Sequence, residues 1–64
     1  MQPFQERVVT EKKELDVKLE ALGAFLQKAP EQLDAAEKLR LQHQLVIMEL
    51  YSGILAIRIK NFKQ

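Results

Sequence analysis

Six polar side chains, three in each half of the chain, have the right types to bind an anionic ligand. They are Arg7, Glu11, Lys12, Tyr51, Ser52 and Arg58. Guanidinium and ammonium groups bind phosphate oxygens, and the flat faces of a guanidinium and an aromatic ring suit a nucleotide. The same residues could instead form a structural network, in which Glu11 pairs with Lys12 or Arg58 and with the tyrosine hydroxyl. Such a network would fix the register of the helices and the oligomeric state.

The composition argues against catalysis and against several other kinds of site. The chain has no cysteine and one histidine, so neither a thiolate nor an imidazole metal site can be built. It contains no nucleophile with a nearby base and no glycine-rich phosphate loop, so we expect no enzyme and no cofactor. A net charge of +1 does not favour a nucleic acid polymer as partner.

Targeting signals are also missing from the sequence. Residues 1–13 already contain charged side chains and lack the apolar core of a signal peptide. The longest apolar-rich stretch, residues 44–57, is interrupted by Glu49 and is shorter than the roughly 20 residues of a membrane span. We therefore predict a cytoplasmic protein with no membrane partner.

Two long helices must position the polar side chains. Pro3 suits the first turn of a helix, where its missing N–H would have no partner. Pro30 ends that helix, because the residue before a proline is biased away from the α region. Asp34 and Glu37 have the spacing of a capping box at the start of a second helix. The sequence predicts one all-α domain over residues 1–64, with helix 1 at about 3–28, a turn at 29–33 and helix 2 at about 34–61.

One apolar stripe on each helix predicts an antiparallel two-helix hairpin, since a short turn forces the helices to lie antiparallel. The stripes are Phe4, Val8, Leu15, Leu19, Leu22 and Leu26 on helix 1, and Leu41, Leu45, Met48, Leu55, Ile59 and Phe62 on helix 2. With the turn centred near residue 31, facing positions should sum to about 63, which pairs Phe4 with Ile59. Glu11 and Lys12 interrupt the first stripe. Tyr51 and Ser52 interrupt the second at the same level, so the polar side chains are predicted to share one layer.

A second apolar stripe on helix 2 points away from the first, and it predicts self-association. A chain of 64 residues buries only about 60% of its unfolded surface, and without cysteine it has no disulfide to stabilise it. Oligomerisation is the remaining means of stabilisation. We therefore expect a homo-oligomeric helical bundle whose interface contains Leu39, Ile47, Leu50, Ile54 and Ile57.

Two motifs in the chain are Arg7-Val8-Val9-x-Glu11-Lys12-x-Glu14-Leu15 and Met48-x-x-Tyr51-Ser52-x-Ile54-Leu55-x-x-Arg58-Ile59. Their pattern resembles a family of very short tailed-bacteriophage proteins named after a member in crAss-like phages. In architecture alone, the chain is also similar to viral helical-hairpin sponge proteins that counter CBASS and Thoeris immunity. The resemblance implies a bacteriophage anti-defence protein that acts in the host bacterial cytoplasm.

The leading hypothesis is a non-catalytic homo-oligomer that sequesters a small anionic signal, either a cyclic nucleotide or an ADP-ribose derivative. In this hypothesis the phosphates are bound by Arg7, Lys12 and Arg58, and the base by Tyr51. The alternative is a protein-interaction module whose second stripe docks on a host or phage protein. A third hypothesis is an amphipathic element at a membrane surface.

Overall fold

The computed structural model describes residues 1–63, which form two α-helices, α1 (Pro3–Gln27) and α2 (Ala35–Lys60). Both helices begin and end within one residue of the bounds expected from the sequence. They pack along each other in a hairpin about 50 Å long and 14 Å wide. The predicted all-α antiparallel hairpin is confirmed, whereas its assembly into a bundle stays a prediction.

The start of α2 forms half of the predicted capping box. Asp34 Oδ2 accepts a hydrogen bond from the backbone N–H of Glu37 at 3.1 Å, as a helix cap does. The Glu37 carboxylate does not complete the box, because its Oε1 accepts from Arg40 Nε at 2.8 Å. A charge-assisted bond to a guanidinium one turn away is stronger than a bond to a neutral amide. Capping and local ion pairing thus account for the two carboxylates, Asp34 and Glu37.

The interface between the two helices buries few side chains completely. Among residues 1–63, Val8 and Leu55 are the buried apolar side chains, and Leu55 is 0% exposed. The other members of the two inner stripes are half-buried, except for Phe4, which is exposed. Two helices cannot surround most side chains from all directions, so a lone hairpin has a small core.

The register of the helices differs from the expected one by up to five residues, which is more than one helical turn. The Phe4 ring packs against Phe62, with ring centroids 6.1 Å apart, whereas the expected partner of Phe4 is Ile59. Pairs in contact have position numbers that sum to between 64 and 68, not to about 63. Part of the difference arises because helical side chains lean toward their own N-terminus, so a given spot is covered by a residue about one position further along each helix.

The second stripe of α2 lies on the surface, and we call it the outer stripe. Its members are between 53% and 67% exposed: Leu39, Val46, Ile47, Leu50, Ile54 and Ile57. In spite of this apolar content, neither helix within residues 1–63 has the length and hydropathy to cross a membrane.

Candidate functional site

A polar network joins the two helices near the middle of α1. Lys12 Nζ donates to Asp16 Oδ2 at 2.7 Å and to Ser52 Oγ at 3.1 Å. The Ser52 hydroxyl in turn donates to Asp16 Oδ1 at 2.5 Å. Each of the three side chains therefore has partners within the hairpin, and the bonds to Ser52 fix the height of α2 against α1. We call this set the Asp16 network.

Asp16 is the member of this network that the sequence interpretation misses. Its spacing from Lys12 is i,i+4, which places the two side chains as neighbours on one helix and is the signal that could have found it. The hydrogen bond from Lys12, followed by the one from Ser52, lowers the pKa of Asp16 below its ordinary value. Asp16 is thus a carboxylate at neutral pH, and it holds the Lys12 ammonium group in place.

The lowered pKa of Asp16 predicts a specific loss of stability in acid. Because the folded-state pKa lies below the unfolded one, the contribution is complete above about pH 4 and disappears as the pH falls through the folded-state value. Asp16→Asn should melt at a lower temperature than the parent chain at pH 7. Thermal melts from pH 7 to pH 2.5 should show this difference shrinking below about pH 4. Melting curves that stay equally far apart down to pH 2.5 would contradict the role given to Asp16.

Phe4 and Phe62 make an edge-to-face contact on a side of the hairpin that does not contain the Asp16 network. Seven residues make nearly two helical turns, so Glu11 lies on the same side of α1 as Phe4. By the same spacing, Tyr51 shares a side of α2 with Arg58, which is one turn from Phe62. We call this surface the aromatic side. It is defined by Phe4, Glu11, Tyr51, Arg58 and Phe62.

The six predicted polar side chains therefore divide between two sides of the hairpin. Lys12 and Ser52 belong to the Asp16 network, whereas Glu11 and Tyr51 lie on the aromatic side. Adjacent helical residues point about 100° apart, so Glu11-Lys12 and Tyr51-Ser52 cannot each send both side chains into one pocket. Arg7 lies further round α1, where it lines a shallow, open groove together with Glu11.

A seven-residue spacing continues the aromatic side along both helices. The rows are Phe4, Glu11, Lys18 and Phe25 on α1, and Gln44, Tyr51 and Arg58 on α2. Tyr51 is 44% exposed and Phe25 is 45% exposed, so both rings can be reached from solvent. Sequence interpretation misses Lys18, Phe25 and Gln44 as candidates, although the repeated interval of seven is visible in the sequence.

The chemistry available on the aromatic side is recognition of a flat, negatively charged molecule. Lys18 and Arg58 are exposed cations, and the exposed Tyr51 ring lies about 10 Å along the helix from Arg58. Guanidinium groups bind phosphates through bidentate hydrogen bonds, and aromatic faces stack on nucleobases. Within residues 1–63, no three histidine, aspartate or glutamate side chains are placed to hold a metal ion.

A family model described as Sequestin matches residues 2–61, which include both helices. This match confirms the expected likeness to a sponge-type protein family, but it does not confirm the expected naming after a crAss-like phage member. The bacteriophage origin and the host cytoplasm stay predictions. No curated protein and no solved structure matches the chain.

Proposed function

The chain belongs to the Sequestin family, and from this premise we propose that it sequesters a small anionic nucleotide on the aromatic side of a homo-oligomeric hairpin. The family name describes sequestration, which is a binding role without turnover. In the setting that the family resemblance implies, the ligand is a cyclic nucleotide or ADP-ribose-type immune signal of the host, and the protein is a phage anti-defence protein.

The observation that carries the proposal is the row of exposed aromatic and cationic side chains on one side of the hairpin. Arg58 and Lys18 supply positive charge for phosphates, and the Tyr51 ring supplies a stacking face. Glu11 is half-buried on the same side, where its carboxylate can accept hydrogen bonds from sugar hydroxyls or a base. Arg7 is a further phosphate ligand in this proposal, although its groove on α1 is also lined by Glu6, Glu11 and Glu14.

Lys12 and Ser52 have a structural role in this proposal. A ligand phosphate would have to displace the Lys12 ammonium from Asp16, with which it forms an ion pair at 2.7 Å. The Asp16 network therefore sets the register, and the aromatic side binds the ligand. The register-setting network therefore consists of Lys12, Asp16 and Ser52, and it differs from the expected pairing of Glu11 with Lys12 or Arg58 and with the tyrosine hydroxyl.

A thermal-shift experiment against a panel of cyclic di- and trinucleotides and cyclic ADP-ribose species tests the proposal. A ligand at a hundredfold excess over its Kd adds about 2.7 kcal/mol to the free energy of unfolding. We expect Tyr51→Ala and Arg58→Ala to fold normally, because both side chains are exposed, and to lose the shift. Lys13→Ala is the matched control, since Lys13 is an exposed cation two positions from Glu11 and points away from the aromatic side.

Two outcomes would contradict this assignment. The first is the absence of any shift with every nucleotide in the panel. The second is an equal loss in Lys13→Ala, which would show that the shift reflects general charge and not the aromatic side.

A second candidate function is a protein-interaction module, which the exposed outer stripe of α2 favours. In that case a host or phage protein would dock on the outer stripe, and the Asp16 network would serve only to set the register. A pull-down from host cells would recover a stoichiometric partner. Tyr51→Ala and Arg58→Ala would leave this capture unchanged, whereas a charge introduced at Leu50 would abolish it.

A further inference from the structure

We infer that a second copy of this chain covers the outer stripe of α2, antiparallel to the first copy about a two-fold axis between Val46 and Leu50, so that the Tyr51 rings of both copies lie on one shared surface. This inference names the partner that completes the proposed binding surface. Only the ligand in this inference rests on the proposed function, because the assembly of two copies does not require a ligand.

The outer stripe needs a partner because the hairpin provides none. All six of its large side chains are more than half exposed, although the hairpin's own core contains only Val8 and Leu55 as buried apolar residues in the described chain. Soluble monomers rarely expose a contiguous apolar patch larger than a few hundred Å², and larger patches mark interaction sites. More large apolar side chains lie on the outside of this hairpin than are buried within it.

Charge favours an antiparallel arrangement of the two α2 helices. Residues 50–63 carry three cationic side chains and no carboxylate, whereas residues 31–43 carry three carboxylates and two cations. Parallel pairing would bring two strongly basic ends together and align the helix dipoles, and both effects are unfavourable. Antiparallel pairing places each basic end beside the mildly acidic end of the other copy.

The spacing of the outer stripe gives the position of the axis. Leu39 and Ile57 lie at its two ends, at equal distances from position 48. A two-fold axis at that point pairs Leu39 of each copy with Ile57 of the other, and Val46 with Leu50. All of these pairs are apolar, and a two-fold interface requires such self-complementarity.

The axis also determines where the two candidate sites lie. A two-fold axis perpendicular to a pair of antiparallel helices keeps the aromatic sides of both copies on the same surface. Tyr51 is one turn from both Ile47 and Ile54, so it lies at the border between the aromatic side and the outer stripe. A second copy on the outer stripe therefore borders Tyr51 and forms one wall of the ligand site.

Cross-linking tests the arrangement, and the absence of native cysteine makes each introduced thiol unique. A short bismaleimide should link the double variant Leu39→Cys/Ile57→Cys into a covalent dimer. Leu39→Cys and Ile57→Cys alone should stay unlinked, because antiparallel pairing holds identical positions at the ends of the stripe about 27 Å apart. The two sites are equally far apart within one chain, which excludes an internal link. Val17→Cys is the control, an exposed position on α1 outside the outer stripe.

Each outcome decides the inference. Linked single variants would indicate parallel helices and overturn it. An unlinked double variant would also overturn it, as would a monomeric mass for the unmodified chain in sedimentation, which does not depend on any variant. If the double variant is linked but no nucleotide shifts its melting temperature, the proposed ligand fails and the assembly stands.

Discussion

Leu55→Ala is expected to lower the free energy of unfolding by about 2–5 kcal/mol, the usual range for removing a buried leucine side chain. Leu55 is 0% exposed and has no comparably buried apolar partner in the described chain except Val8. Small domains have a total stability of only about 5–15 kcal/mol, so the variant should lose a large fraction of its stability. Urea denaturation followed by circular dichroism measures the loss.

Val17→Ala is the control for this experiment. Val17 is 68% exposed on α1, so shortening it should change stability by less than about 0.5 kcal/mol. Equal losses in the two variants, or a loss below 1 kcal/mol for Leu55→Ala, would show that the contact between α1 and α2 is not the main source of stability.

Leu50→Asp is expected to dissociate the oligomer and to lower the melting temperature, although Leu50 is the most exposed member of the outer stripe at 67%. In an isolated hairpin the substitution would place a carboxylate in water and cost little. In an interface between two copies it would bury an unpaired charge, which is strongly unfavourable. Size-exclusion chromatography with light scattering measures the mass of the variant.

Val17→Asp makes the comparison specific. Val17 matches Leu50 in exposure at 68%, and it lies on α1, away from the outer stripe. We expect this variant to keep the mass and melting temperature of the parent chain. If Leu50→Asp also kept them, the outer stripe would not be an interface.

The helices and the inner stripe follow from local signals in the sequence. Pro3 and Asp34 mark where α1 and α2 begin, and the apolar positions at intervals of three and four mark the faces that meet. These signals depend on each residue's own backbone preference and on helical periodicity. The structure therefore agrees with them to within one residue at each helix end.

The register and the grouping of polar side chains depend on geometry between helices, which a single sequence specifies less directly. The centre of the turn predicts contact between Phe4 and Ile59, but it ignores the lean of side chains toward the helix N-terminus, and Phe62 is the observed partner. The polar layer combines neighbours such as Glu11 and Lys12, which point to different sides. Asp16 goes unnoticed because it lies beside Leu15 at the edge of the inner stripe and does not interrupt it.

Native mass spectrometry of protein purified from infected or expressing cells tests the central claim most directly, because it reports subunit number and bound ligand together. The account predicts an even multiple of the 7.4 kDa chain that carries an adduct of nucleotide mass, and it predicts that Tyr51→Ala keeps the multiple but loses the adduct. A bare 7.4 kDa monomer would contradict it.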